Sequence, residues 1–203
     1  EDDTAKTEHY DVLLTAMVMR LRQLFCDDSL PFLNVQLPMW IAAGDEDKHD
    51  WARLRLAQAR AASALQPGGL AILLDCGEFD NIHPTDKRTP GERLCDVALR
   101  VVYGMDAPES PRALGKYTQG DTLVVTLSAP VLRRETGELL LEIAGEDGAY
   151  HPVQSVTLDG TEMRLRSVAV LHPTKVRYAY VNWGKVALFG RNGLPLAPFA
   201  LEG

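Results

Sequence analysis

The tetrapeptide Pro108-Glu109-Ser110-Pro111 separates two stretches of different hydrophobic period, and no one regular fold accommodates both. Before it, apolar residues recur every three or four positions, interrupted by two short apolar runs. After it, they alternate as strands require. Residues 5 to 25 carry Tyr10, Leu13, Leu14, Met17, Leu21, Leu24 and Phe25 at the spacing of an amphipathic helix. Phe32-Leu33-Asn34-Val35-Gln36-Leu37 reads as a strand stopped by Pro38. A second helix fits residues 50–65, with Trp51, Leu54, Ala57, Ala61 and Leu65 on its inner face and Pro67-Gly68-Gly69 ending it. The spacing then predicts a strand over 70–75 and a third helix from Pro90 to a stop at Gly104.

Helix-strand-helix-strand-helix is the order of a parallel sheet with crossover helices. Two strands alone leave such a sheet with an open edge and an uncovered apolar face. The expected fold is therefore α/β: the second half of a doubly wound parallel-sheet domain over residues 1–106, then an all-β sandwich-like module over 113–203. Strands in that module are predicted at 122–127, 139–143, 154–158, 162–166 and 176–180. Gly120-Asp121, Glu146-Asp147-Gly148 and Asp159-Gly160 supply its turns.

Composition narrows the partners. With 21 Lys and Arg against 28 Asp and Glu the chain carries a net charge of −7, which opposes nucleic acid or an anionic membrane as ligand. No apolar run approaches the roughly 20 residues of a bilayer-spanning helix. Cys26, Cys76 and Cys95 cannot all pair within the chain and fit no zinc spacing, so they leave secreted, periplasmic and cytoplasmic settings equally open. The opening Glu1-Asp2-Asp3-Thr4 has neither an initiator Met nor a signal-peptide core, and is read as lacking the start of the gene product.

The chemistry-bearing stretch is Asp75-Cys76-Gly77-Glu78-Phe79-Asp80-Asn81-Ile82-His83-Pro84, directly after the apolar run Leu70-Ala71-Ile72-Leu73-Leu74. In an open α/β sheet, ligands gather beyond the carboxyl ends of strands. Pro84 biases His83 toward extended backbone. An imidazole that accepts a hydroxyl proton needs a carboxylate to hold its tautomer and stabilise its cation. His83 is thus the candidate general base and Asp80 its partner, with a nucleophile elsewhere. Carboxylate-x-x-His pairs also arise by chance, and Glu46-x-x-His49 reads as a solvated helix start. Cys76, seven residues before His83, is the rival nucleophile within the chain, although a single Cys ending a strand more often serves packing. Glu78 is another candidate polar contact for the loop, and reads more readily as a solvated turn residue.

Several stretches in one order resemble the sialate O-acetylesterases of the SGNH hydrolase superfamily. They are Pro31-Phe32 leading into Val35-Gln36-Leu37, then Trp51-Ala52-Arg53-Leu54-Arg55, then Asp80-x-x-His83-Pro84 with Lys87 and Pro90-Gly91-Glu92-Arg93-Leu94. Pro173-x-x-Val176-Arg177-Tyr178 and Asn192-Gly193-Leu194-Pro195-Leu196-Ala197-Pro198-Phe199 extend the likeness to the carboxyl end. The resemblance implies a serine carboxylesterase acting on O-acetylated sialic acid or another acetylated sugar, without metal or organic cofactor. His83 and Asp80 would be its base and orienting acid. The family's Gly-Gln-Ser-Asn nucleophile block has no counterpart here, because none of Ser29, Ser63, Ser110, Ser128, Ser155 and Ser167 has a Gly-x-Ser context. Glu1-Asp2-Asp3-Thr4-Ala5 resembles the tail of another family block. The expectation is a C-terminal part whose partner is the N-terminal half of the same enzyme, and which alone is inactive. The alternatives are an acetylxylan-type esterase, a glycan-binding β module stacking sugars on Trp183, Tyr178 or Tyr180, and a bracing fragment whose apolar tail 194–199 docks on a neighbouring surface.

Overall fold

The computed structural model describes residues 4–202, so the expectation placed on Glu1, Asp2 and Asp3 lies outside the described residues. The chain forms two compact units that meet in sequence between Glu109 and Ser110. The first holds a 3-10 turn (Thr4–Lys6), helix α1 (Thr7–Phe25), strand β1 (Phe32–Val35), helix α2 (Asp50–Ala64), strand β2 (Gly68–Ala71) and helix α3 (Arg88–Val101). β1 and β2 pair in parallel, Phe32 opposite Gly68 through Val35 opposite Ala71, with α2 as the crossover. Among the described residues this sheet has two strands.

Local pattern and tertiary role part company in three places. The glycines predicted to end α2 lie inside β2 instead. A Cβ at Gly69 would sit 2.3 Å from Val97 Cγ1, so the missing side chain is what lets α3 close on the sheet. β2 also ends earlier than its apolar run. Leu73 and Leu74 are buried, but in a turn closed by the Cys76 amide donating to Leu73 O at 3.0 Å. Finally, α3 begins two residues before Pro90, because Asp86 accepts the first free amides, Arg88 at 3.0 Å and Thr89 at 3.1 Å.

Helix α1 exists over nearly its predicted span, but its leucine stripe faces outward. Leu13, Met17, Leu24 and Phe25 are 63%, 48%, 61% and 69% exposed, while Val18 and Arg22 form the buried side. Arg22 explains the orientation. Its guanidinium donates to Leu30 O (3.0 Å), Gln66 O (3.2 Å) and Pro67 O (3.1 Å), tying the helix end to the connections that enter both strands. No helix of the described residues is long and apolar enough to cross a membrane.

The second unit contains β3 (Ala113–Gln119), β4 (Thr122–Leu127), β5 (Val131–Arg133), β6 (Leu141–Ala144), β7 (His151–Pro152), β8 (Ser155–Asp159), β9 (Glu162–Arg166), β10 (Lys175–Tyr178), β11 (Leu188–Gly190) and β12 (Phe199–Leu201). They make antiparallel sheets in the orders β3-β4-β9-β8 and β12-β10-β6-β7, with β5 and β11 paired separately. Gly120 and Gly160 take positive φ at the predicted hairpins, where a residue without Cβ is least strained. Alternate residues supply the core: Leu123, Met163, Leu165, Ile143, Val176 and Tyr178 are fully buried. The whole chain is thus mixed α/β, with antiparallel sheets confined to its second unit.

The apolar closing segment is part of this second unit. Leu196 is fully buried, its amide donates to Leu188 O at 3.0 Å, and β12 pairs with β10. Its predicted docking on a neighbouring surface is therefore replaced by pairing within its own module, because its backbone groups complete a sheet there.

Candidate active-site loop

Two loops leave the carboxyl ends of β1 and β2. The first is fastened to α2 by buried polar groups of the loop and of the helix. The Gln36 side chain donates to Arg55 O (3.1 Å), the Leu37 amide donates to Gln58 Oε1 (2.9 Å), and the Trp51 indole donates to Pro38 O (2.6 Å). Arg55 is wholly buried, and burial lowers its pKa to about 9 despite the opposing field of Asp47. It donates toward the same Pro38 carbonyl at 3.5 Å. The first loop is therefore held before it reaches Trp40.

The second loop lies against the first. At Gly77 a Cβ would fall 1.9 Å from Met39 O, so only glycine permits this approach. The Asp80 amide donates to Ile41 O at 3.1 Å, and Asp80 Oδ1 accepts the Ala43 amide at 2.8 Å. Asp80 has a left-handed φ of 57°, a conformation Asp tolerates better than most residues. Below the loop, Arg93 of α3 makes a two-point pair with Asp75, at 2.6 and 2.8 Å, and donates to Ile72 O at 2.7 Å.

His83 is exposed at the tip. Its amide donates to Asn81 Oδ1 at 3.1 Å, and its imidazole makes no hydrogen bond or ion pair within the described residues. The structure thus brings Asp80 and His83 into one loop at the strand ends without joining their side chains. The bond that Asp80 does make fastens the two loops together, a contact across 37 residues that the local spacing does not encode.

Cys76 is unsuited to the nucleophile's role. Burial first, and then the Asp75 carboxylate beside it, push its thiol up to about 12, whereas attack requires the thiolate. His49 sits at the cap position before α2, with its Nδ1 3.3 Å from Asp47. Among the described residues, no group of three His, Cys, Asp or Glu side chains is arranged to hold a metal ion. In the second unit Tyr178 is core, tilted against Phe199 at 5.7 Å, and cannot present a face to a sugar. The Tyr180 ring is occupied by the Arg177 guanidinium, 4.6 Å from its centroid.

Glu78 is a polar contact for the loop, the less favoured of the two readings its position allowed. Its carboxylate accepts the Thr85 amide and hydroxyl, both at 2.6 Å, and the Asn81 side-chain amide at 2.7 Å. Thr85 first and Asn81 second hold its pKa below the usual glutamate range. The short-range signal was present as Glu78-x-x-Asn81 and Thr85, but nothing local showed that one carboxylate would receive all three donors.

No family model matches the chain, and neither does any curated protein. Among solved structures, it is similar to the crystal structure of a protein described as a novel carbohydrate acetylesterase from Xanthomonas citri. The two share 33% identity with a TM-score of 0.87, over 95% of this chain and 46% of that one. The chain thus spans less than half the length of the protein it matches.

Proposed function

We propose that the chain is the acid–base portion of a carbohydrate O-acetylesterase. The reading rests on the likeness to the Xanthomonas citri acetylesterase, which runs through both units of this chain. In this scheme the first unit is the second half of an SGNH-type doubly wound hydrolase domain and the second is a sandwich-like module. The nucleophilic serine belongs to an N-terminal half. Two features favour such a partner: β1 and β2 each have an unpaired outer edge among the described residues, and α1 presents an uncovered apolar stripe.

His83 would take the proton from the serine hydroxyl as it attacks the acetyl carbonyl, and then return it to the departing sugar oxygen. Water activated by the same imidazole would release acetate from the acyl-enzyme. Asp80 Oδ1 is engaged by Ala43, and Oδ2 has no hydrogen bond within the described residues. Oδ2 is the oxygen left to orient the imidazole. O-acetylated sialic acid is the favoured substrate and acetylated xylan the second, following the sequence resemblance.

The test is hydrolysis of p-nitrophenyl acetate and of an O-acetyl sialoside by the chain alone and after reconstitution with a Gly-x-Ser-bearing N-terminal half. The chain alone should be near background. Reconstituted turnover should fall about 10²–10⁴-fold on His83→Ala. Undiminished activity in that variant removes His83 from the mechanism.

A further inference from the structure

We propose that Glu78 is a positioning residue for His83, a role that rests on the esterase reading above. The imidazole has no side-chain bond within the described residues, so its place is determined by the backbone that carries it. That backbone is closed by Glu78 from both sides. Two residues after His83, the Thr85 amide and hydroxyl both donate to Oε1, and two residues before it the Asn81 carboxamide donates to Oε2.

The Asn81 link reaches His83 itself. Because Nδ2 is committed to Glu78, Oδ1 is turned the other way, where it accepts the His83 amide at 3.1 Å. The Asn81 amide also donates to Glu78 O at 3.4 Å. One carboxylate thereby gathers residues 78, 81, 83 and 85 into a single closed turn. Only an ionised carboxylate has acceptors enough on both oxygens. A glutamine has one acceptor oxygen, and its NH2 opposes the Asn81 donor.

The experiment compares Glu78→Ala, Glu78→Gln and His83→Ala by steady-state kinetics of the reconstituted enzyme and by amide NMR of the chain. Displacing a base by a fraction of an ångström should lower kcat about 10- to 100-fold with KM within about twofold. The Thr85 and His83 amide resonances should move and exchange faster in both Glu78 variants, while those of α2 stay in place. An unchanged kcat in Glu78→Ala, in a preparation where His83→Ala abolishes turnover, overturns the proposal and leaves the esterase reading standing. Full activity in His83→Ala removes His83 from the esterase mechanism instead. The amides then decide the structural claim, since unmoved Thr85 and His83 resonances overturn it and shifted ones support it. Thr85→Val and Asn81→Ala each remove one link and serve where Glu78→Ala does not fold. Each should lower kcat about threefold or more, and no loss in either overturns the proposal.

Discussion

At the scale of single residues, environment rather than identity sets the chemistry of the 75–87 loop. Cys76 and Cys26 are the same thiol in sequence, but Cys76 is half-buried beside Asp75 with its pKa pushed up to about 12, and Cys26 is exposed. Iodoacetamide at neutral pH should therefore alkylate Cys26 well before Cys76, and peptide mass spectrometry reads the order directly. Faster labelling of Cys76 would restore it as a nucleophile. Glu78 supplies a second contrast. Its folded-state pKa is depressed, chiefly by the Thr85 hydroxyl and amide, next by Asn81 and least by the charge of Lys87. Such a carboxylate stabilises the loop above its unfolded pKa of about 4.3, and that contribution is lost as pH falls through the lower folded value. The Thr85 amide resonance should consequently titrate with a midpoint below about 4.3, and a midpoint at or above that value contradicts the geometry.

At the scale of elements, the loop is suspended between two helices. Helix α2 holds the first loop through Gln36, Gln58, Trp51 and Arg55, and α3 holds the second through Arg93. The Arg93 and Asp75 side chains are 11% and 23% exposed, so this pair is little screened by solvent. Lysine keeps the charge but cannot bridge both carboxylate oxygens while also reaching Ile72 O. Arg93→Lys should cost about 1–3 kcal/mol in urea unfolding, with the Asp75 to His83 resonances moving most. A cost near zero would show that the packing of α3 on the sheet, including Val97 and Val101 over Gly69, holds it without this pair. The element boundaries teach the same point. The Gly68-Gly69 pair could end a helix or thin a strand, and only the approach of Val97 selects the second role.

At the scale of the whole molecule, the closing segment behaves as core rather than as a tail. Deleting residues after Gly193 removes the buried Leu196 and Phe199 and the strand that borders β10. Each such side chain contributes about 1.5–3 kcal/mol by burial. The truncated chain should lose the native near-ultraviolet signal of its second unit, and retention of that signal with an unchanged melting temperature would contradict the packing. The sequence by itself determined the kinds and order of elements in the first unit, five of the ten strands of the second (β4, β6, β8, β9 and β10), the hairpins at Gly120 and Gly160, and the placement of Asp80 and His83 after a parallel strand. These are legible because hydrophobic period, turn chemistry and chain order are local properties. Tertiary structure alone decided that the α1 stripe faces outward, that Asp80 fastens Ala43, and that Glu78 closes the turn around His83. An apolar stripe does not say which neighbour will cover it, and a carboxylate does not name its donors until the fold brings them within about 3 Å.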